Sequence, residues 1–234
     1  TIGYYDITQN AGLAEQATPI TFIGESAVDV GDIGAADLDA FDILFVQNRV
    51  SSVITGPYAA EANLDRVADF VARGGVLVFH DRYVETIEDF LPGEPGSLHL
   101  DFGAARTEFE LVEAHSFVAT GPGGTIDDTN LESPNSVTFG YADAGSVPPG
   151  SRGYLSRNDP AAWTAYSYPV GEGHVIYSSI PLDYYLASGN PEIMRAVYAP
   201  NVLAQARALR RKVADTDADG VLDVEEAVLG TLVD

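Results

Sequence analysis

Apolar residues fall in short closed runs along this chain, and the runs alternate with segments of helical period. Ile2-Gly3-Tyr4-Tyr5 predicts a first buried strand with Asp6 at its end. Thr8 to Thr18 is small and polar and predicts a short helix, and Ile20 to Ile23 predicts a second short strand. Ala35 to Phe41 leads into Asp42-Ile43-Leu44-Phe45-Val46, an almost unbroken apolar run of the kind that suits a strand covered on both faces. Gln47 and Asn48 follow at its carboxyl end. Leu64, Val67, Ala68, Phe70 and Val71 recur at helical spacing between Asn63, a candidate N-cap, and the stop Gly74-Gly75. Val76-Leu77-Val78-Phe79 predicts the next buried strand and runs into His80-Asp81-Arg82. Strand, helix and strand at this spacing predict a right-handed βαβ unit.

From Leu91 to about Arg152 the pattern weakens. Gly, Pro, Asp and Ser dominate, with faint strand signals at Leu98 to Phe102 and Glu108 to Val112, which predicts an irregular insertion containing short strands. Trp163 to Tyr168 and His174 to Ile180, separated by Pro169-Val170-Gly171-Glu172-Gly173, predict a β-hairpin. Pro200 to Val213 predicts a helix whose apolar stripe is Val202, Leu203, Ala206, Leu209 and Val213.

Composition narrows the class. The 234 residues carry 35 acidic and 12 basic side chains, a formal charge of −23. Such a surface repels phosphate backbones and anionic lipid, so nucleic acid is an unfavourable partner and cations are favourable ones. Lys212 is the only lysine. No cysteine is present, which excludes disulfides, thiolate metal sites and a cysteine nucleophile. No run of about 18 apolar residues predicts a membrane span. The start at Ile2-Gly3-Tyr4-Tyr5 is that expected of a processed or trimmed product, and the end after Leu232-Val233-Asp234 suits a chain that continues in nature.

The most specific motif is Asp215-Thr216-Asp217-Ala218-Asp219-Gly220-Val221-Leu222-Asp223-Val224-Glu225-Glu226. It matches the calcium loop D-x-[DN]-x-[DN]-G-x₅-E at every defined position. The carboxylates of Asp215, Asp217 and Asp219 converge as such a loop curls, and Gly220 permits the sharp turn. Val221 offers its carbonyl, Asp223 binds directly or through water, and Glu226 closes the shell with both oxygens. Carboxylates packed this closely repel one another without an ion, so calcium is the expected cofactor. The segment resembles the solitary EF-hand-like loops of thrombospondin type 3 and related bacterial extracellular repeats over Ala214 to Val233, with Ala218 where glycine is common in that family.

The element order of the first 90 residues, with the phrase Val71-Ala72-Arg73-Gly74-Gly75-Val76-Leu77-Val78-Phe79-His80, resembles the class I glutamine amidotransferase-like group. That resemblance implies an α/β, flavodoxin-like, mainly parallel sheet flanked by helices over residues 1–213, interrupted by the insertion at about 91–152; the calcium motif adds a loop with a short helix at 214–234. Thr120 to Ile126 and Tyr177 to Leu186 resemble a domain of large bacterial secreted repeat proteins. Amidotransferases place their cysteine nucleophile just after the strand that here ends at Phe79, where this chain has His80 and Asp81, so the family's glutamine hydrolysis is excluded.

Ligands of open parallel sheets bind at the carboxyl ends of the strands. Those ends supply Asp6, Gln47, Asn48, His80, Asp81, Arg82 and Asp183, with Tyr83 and Tyr184 placed to stack on sugar rings. Two readings follow. The first is a non-catalytic calcium-binding module of an extracellular or cell-surface protein, with a structural or interaction role and a glycan or another surface protein as partner. The second is a carbohydrate-active hydrolase or sugar-binding domain, in which His80, Asp81 and Asp183 are the catalytic candidates of a crevice around His80.

Overall fold

The structure is a computed structural model that describes residues 1–50, 54–83, 87–103, 107–132 and 137–210. The chain first forms β1 (Ile2–Asp6), α1 (Ala14–Phe22), β2 (Ala27–Asp29), β3 (Ile43–Asn48), α2 (Glu61–Ala72) and β4 (Val76–Asp81). The middle holds β5 (Leu98–Leu100), β6 (Glu110–Leu111), β7 (Thr120–Gly121), β8 (Gly124–Thr125), β9 (Gly140–Asp143) and β10 (Arg152–Ser156). It closes with β11 (Ala162–Val170), β12 (Gly173–Ser178), α3 (Leu182–Ser188) and α4 (Ala199–Arg210), the last preceded by a π-helical stretch at Met194–Tyr198.

Among the described residues one ten-stranded sheet runs in the order β2-β1-β3-β4-β12-β11-β10-β6, with β9 pairing to β11 and β5 to β9; β7 and β8 form a separate two-stranded sheet. The pairings from β2 to β12 are parallel. The pairings that bring in β11, β10, β6, β9 and β5 are antiparallel. The expected flavodoxin-like, mainly parallel sheet is therefore corrected to a mixed one. The physical reason is the β11–β12 hairpin: once β12 enters parallel to β4, its hairpin partner must run the other way, and the strands added beyond it follow in antiparallel pairs. Part of the 91–152 stretch joins the main sheet through β5, β6 and β9, and β10 starts where it ends.

The continuous apolar runs are explained by burial on both faces. Ile43 and Phe45 of β3 join one core, which is roofed by Tyr198, Val202, Leu203 and Ala206 from the helical segment at the end. Leu44 and Val46 join the other core, with Val67, Phe70 and Val71 of α2 and the tyrosines Tyr166, Tyr168 and Tyr177. Ile20 to Ile23, expected as a strand, belongs instead to α1 and the turn that ends it. Gln16 explains why: its carbonyl oxygen accepts from Leu13 N at 3.0 Å, while its amide donates to the carbonyls of Tyr5 at 3.2 Å and Phe45 at 3.1 Å. The helix is thus riveted to β1 and β3 before Ile20 is reached. Asn63 is not an N-cap but lies inside α2, where its amide donates to the Pro57 carbonyl at 2.7 Å.

The calcium loop, with Asp215, Asp217, Asp219, Val221, Asp223 and Glu226, lies outside the described residues, as does the end of the helix expected to reach Val213.

Candidate functional site

The carboxyl ends of β1, β3, β4 and β12 carry polar residues that the strand period sorts onto two faces. Asp6 pairs with Gln47, Gln47 with His80, and His80 with Ser178 in register across four neighbouring parallel strands. They share the parity of Ile2, Phe45, Val78 and Ile176, and so lie on the face roofed by the terminal helices. Asn48 and Asp81, one residue further along β3 and β4, share the parity of Val46 and Phe79 and lie on the α2 face.

His80 is buried, its ring edge-on to Phe45 (5.8 Å between centroids) and to Tyr198 (5.7 Å). Tyr198 Oη donates to Ser178 Oγ at 2.9 Å, which leaves its oxygen to accept from His80 Nε2–H at 3.2 Å. Burial pushes the imidazole down to about 3, so it is neutral at physiological pH. The sequence-expected general base is therefore an interior histidine with no route to a solvent-borne substrate.

Asp81 is fully buried. Burial raises its carboxyl to about 7, against the downward pull of hydrogen bonds from Tyr83 N, Asn48 and Tyr177. Those donors stand at 3.1 Å, 2.7 Å and 3.4 Å. Asp6 is equally buried; its Oδ2 lies 2.9 Å from Arg49 Nε and its Oδ1 accepts from Gln9 N at 3.1 Å. Asp183, on the first turn of α3, forms an ion pair with Arg82. Burial raises its carboxyl, and the charge of Arg82 opposes the rise.

The open part of this edge is a pocket of about 300 Å³ lined by Arg82, Tyr83, Val137, Phe139, Pro181 and Tyr184. Its walls are held from several directions. Tyr83 follows the turn that Asp81 closes on its backbone N–H, and its ring stacks on Phe139 at 5.7 Å and 17°. Phe139 is fixed through its neighbours: Val137 N donates to Tyr185 Oη at 2.7 Å, Phe139 N donates to the Ser179 carbonyl at 3.3 Å, and its own carbonyl accepts from Asp101 N at 2.9 Å. Phe102 meets Phe139 edge-on at 5.3 Å. The Arg82 guanidinium lies 5.8 Å from the centre of the Tyr184 ring, and that tyrosine is 49% exposed.

The structure thus brings Arg82, Tyr83 and Tyr184 together as a lining, with Asp183 behind Arg82. It separates Asp6, Gln47, Asn48, His80 and Asp81 from that lining and buries them beneath the sheet's edge. Phe139, Val137 and Pro181 were missed from sequence. Thr138-Phe139-Gly140-Tyr141 carries an alternation that marks β9, but it sits amid the Gly- and Ser-rich stretch. Among the described residues no group of three or more His, Cys, Asp or Glu side chains is arranged to hold a metal ion. No helix among them is long and apolar enough to cross a membrane.

No protein-family model matches the sequence, and no curated protein does. Solved structures do. The cytoplasmic protein STM3548 of Salmonella typhimurium matches with a TM-score of 0.53 and 12% identity, over 87% of this chain and 96% of that one. The exo-β-1,4-mannosidase Op5Man5 of Opitutaceae bacterium strain TAV5 matches with a TM-score of 0.53 and 13% identity, over 88% of this chain but only 35% of that one. The cytoplasmic protein STM1381 of Salmonella typhimurium LT2 matches with a TM-score of 0.50 and 13% identity, over 82% and 86%.

These likenesses establish a shared fold and overturn the resemblances read from sequence. The chain shares its fold with most of the length of two proteins and with about a third of a glycosidase, not with an amidotransferase-like domain joined to thrombospondin-type repeats. The reading as a non-catalytic, extracellular calcium module rested on that resemblance and falls with it. The extracellular or cell-surface location loses the same support, since two of the matching structures are named as cytoplasmic proteins.

Proposed function

We propose that this chain is a carbohydrate-binding domain whose saccharide sits in the pocket of Arg82, Tyr83, Phe139 and Tyr184. The observation that carries the reading is the lining itself: aromatic rings and one guanidinium around about 300 Å³ at the carboxyl edge of a largely parallel strand set. A sugar ring presents apolar C–H faces and a rim of hydroxyls. Tyr184, half exposed, offers a flat apolar surface to the first. Arg82 offers donors to the second, with its orientation set by Asp183, so that little side-chain freedom is lost on binding. The volume is at the small end of ligand pockets, about 300–1,000 Å³, which suits one or two sugar units.

The geometry favours binding over hydrolysis. Glycoside cleavage uses two carboxyl groups on opposite sides of the scissile bond, about 5–10 Å apart. The described lining residues contribute a cation, Asp183 is buried and committed to Arg82, and Asp81 lies under the sheet edge. One structure of this fold is part of an exo-β-1,4-mannosidase, which makes β-linked mannosides the first ligands to try.

The test is calorimetric titration of the chain with mannose, β-1,4-mannobiose, galactose and glucose. Saturable binding of at least one is expected, weakened tenfold or more in Tyr184→Ala and in Arg82→Ala. Absence of binding to every saccharide, or binding indifferent to both substitutions, would overturn the reading.

A further inference from the structure

Phe22, Phe102 and Tyr184 are the aromatic side chains most exposed among the described residues, and two of the three stand at the pocket. Tyr184 lines it. Phe102 is 52% exposed and lies just beyond it, edge-on to the lining ring of Phe139. The rings follow one another outward: Tyr83 stacks on Phe139, and Phe139 meets Phe102. An apolar ring half in water is unfavourable by itself, and exposed rings contiguous with a pocket mark a ligand surface.

Phe102 is held in place from both sides. Asp101 N donates to the Phe139 carbonyl at 2.9 Å, and Gly103 N donates to Asp101 Oδ1 at 2.6 Å. Arg157, whose side chain is 3% exposed, pairs with the Asp101 carboxylate. It also donates to the carbonyls of Asp101 at 2.9 Å and Thr138 at 3.3 Å. One buried guanidinium therefore holds the residue before Phe102 and the residue before Phe139. Groups ordered in advance lose little freedom when a ligand arrives. Charge narrows the ligand further. Arg82 is matched by Asp183, and Asp101 by Arg157, so neither leaves an uncompensated charge beside the rings. The sequence as a whole carries −23 and repels anions.

We propose that the pocket and Phe102 form one platform for a linear, uncharged oligosaccharide, in which Phe102 stacks on a unit beyond those that the pocket holds. The inference rests on the carbohydrate-binding reading and adds the length and charge of the ligand. A single sugar between Arg82 and Tyr184 leaves Phe102 uncovered, because Phe102 is not part of the pocket's lining. An extended chain covers it: each ring takes the C–H face of one unit, and the hydroxyl rims stay in water or reach Arg82. Phe102 is then the residue that sets chain-length preference, and Arg157 is its positioning residue. A chain of uronates would bring anions to a surface without a free cation to meet them.

The test is calorimetric titration of the whole chain with the β-1,4-linked disaccharides and tetrasaccharides of mannose, glucose and galactose, and with tetragalacturonate. For the sugar that binds, the tetrasaccharide is expected to bind about tenfold or more tightly than the disaccharide. Phe102→Ala is expected to lose that gain and keep wild-type affinity for the disaccharide, and Phe102→Trp to keep both. A merely structural Phe102 would alter the two affinities alike or neither. Equal wild-type affinity for the two lengths, or a gain that survives in Phe102→Ala, would overturn the platform and leave the pocket standing. Tetragalacturonate bound as tightly as the neutral tetrasaccharide would overturn the uncharged class. Absence of binding to every saccharide would overturn the pocket and the platform together. If Phe102→Ala does not fold, the wild-type Phe102 ring signals in NMR decide: they are expected to shift with the tetrasaccharide and not with the disaccharide, and unmoved signals would overturn the platform.

Discussion

The Asn48 side-chain amide donates to Asp81 Oδ1 at 2.7 Å, across β3 and β4, and both residues are buried. That bond joins two strand ends beneath the pocket and supports a carboxyl group that burial holds near pH 7 instead of its ordinary 3.8. Because the folded chain binds this proton more tightly than the unfolded one, its contribution to stability is complete below about pH 4. It is lost as pH rises through about 7. Asp81→Asn keeps an oxygen for Asn48 and Tyr83 N and places an amide beside Tyr177. The variant is expected to match wild type near pH 4 and to exceed it by about 1–3 kcal/mol at pH 8. Urea melts at both pH values check this, and parallel pH profiles for the two proteins would count against it.

Arg82 and Asp183 make the next case. The Asp183 side chain is 3% exposed and Arg82 is its ion-pair partner. Removing one member of a buried pair leaves an uncompensated charge, a loss of about 3–5 kcal/mol in well-buried cases. Arg82 is partly exposed and Arg49 also acts on Asp183, so the expected loss in Arg82→Met is smaller, about 2 kcal/mol at pH 8. Burial already raises the Asp183 carboxyl, and loss of the guanidinium raises it further. The defect therefore shrinks as pH falls and Asp183 takes up a proton. An equal loss at pH 5 and pH 8 would mean that Arg82 acts through packing alone.

These residues also show what the sequence made legible. The strands at Ile43–Asn48 and Val76–Asp81 and the helix at Glu61–Ala72 follow from unbroken apolar runs and one helical stripe, because both sheet faces are covered. Arg82, Tyr83 and Tyr184 could be named as site candidates because they follow strand ends. Phe139 could not. Its place depends on the Thr138–Ser179 contact at 2.5 Å and on Asp101, bonds between residues far apart in sequence that no local period records. Ile20 falls in a helix and not in the expected strand because two or three apolar residues fit either period, and the deciding contacts are those of Gln16 to two strand carbonyls. The mixed sheet was hidden for a related reason: the hairpin at Ala162–Ser178 was visible, but not which of its strands would dock on β4.

The acidic loop makes a prediction on sequence alone, since Asp215 to Glu226 lies outside the described residues. Its three alternating aspartates, Gly220 and Glu226 fit an oxygen shell for calcium. Titration calorimetry is expected to show one calcium site, abolished in Asp217→Ala and in Glu226→Ala with the circular dichroism of the sheet unchanged. An ion that binds only the folded chain also raises its melting temperature, so a chelator is expected to lower it. No heat on addition of calcium would remove the ion from the account.

The β11–β12 hairpin docks on the end of α2 through close main-chain contacts. Glu172 N donates to the Ala72 carbonyl at 2.9 Å, and His174 N to the Gly75 carbonyl at 3.3 Å. Between them, a Cβ on Gly173 would fall well inside van der Waals contact with the carbonyl oxygens of Val71 and Gly75. Both are main-chain atoms of a helix end and a turn, so neither yields as a flexible side chain would. Gly173→Ala is therefore expected to cost about 3 kcal/mol or more, the upper range for overpacking. Gly145→Ala, where nothing lies within 4 Å of the added atom, is expected to stay within about 0.5 kcal/mol of wild type. Urea denaturation of the two variants side by side measures the difference. Equal stabilities would show that the hairpin lifts off α2 without penalty.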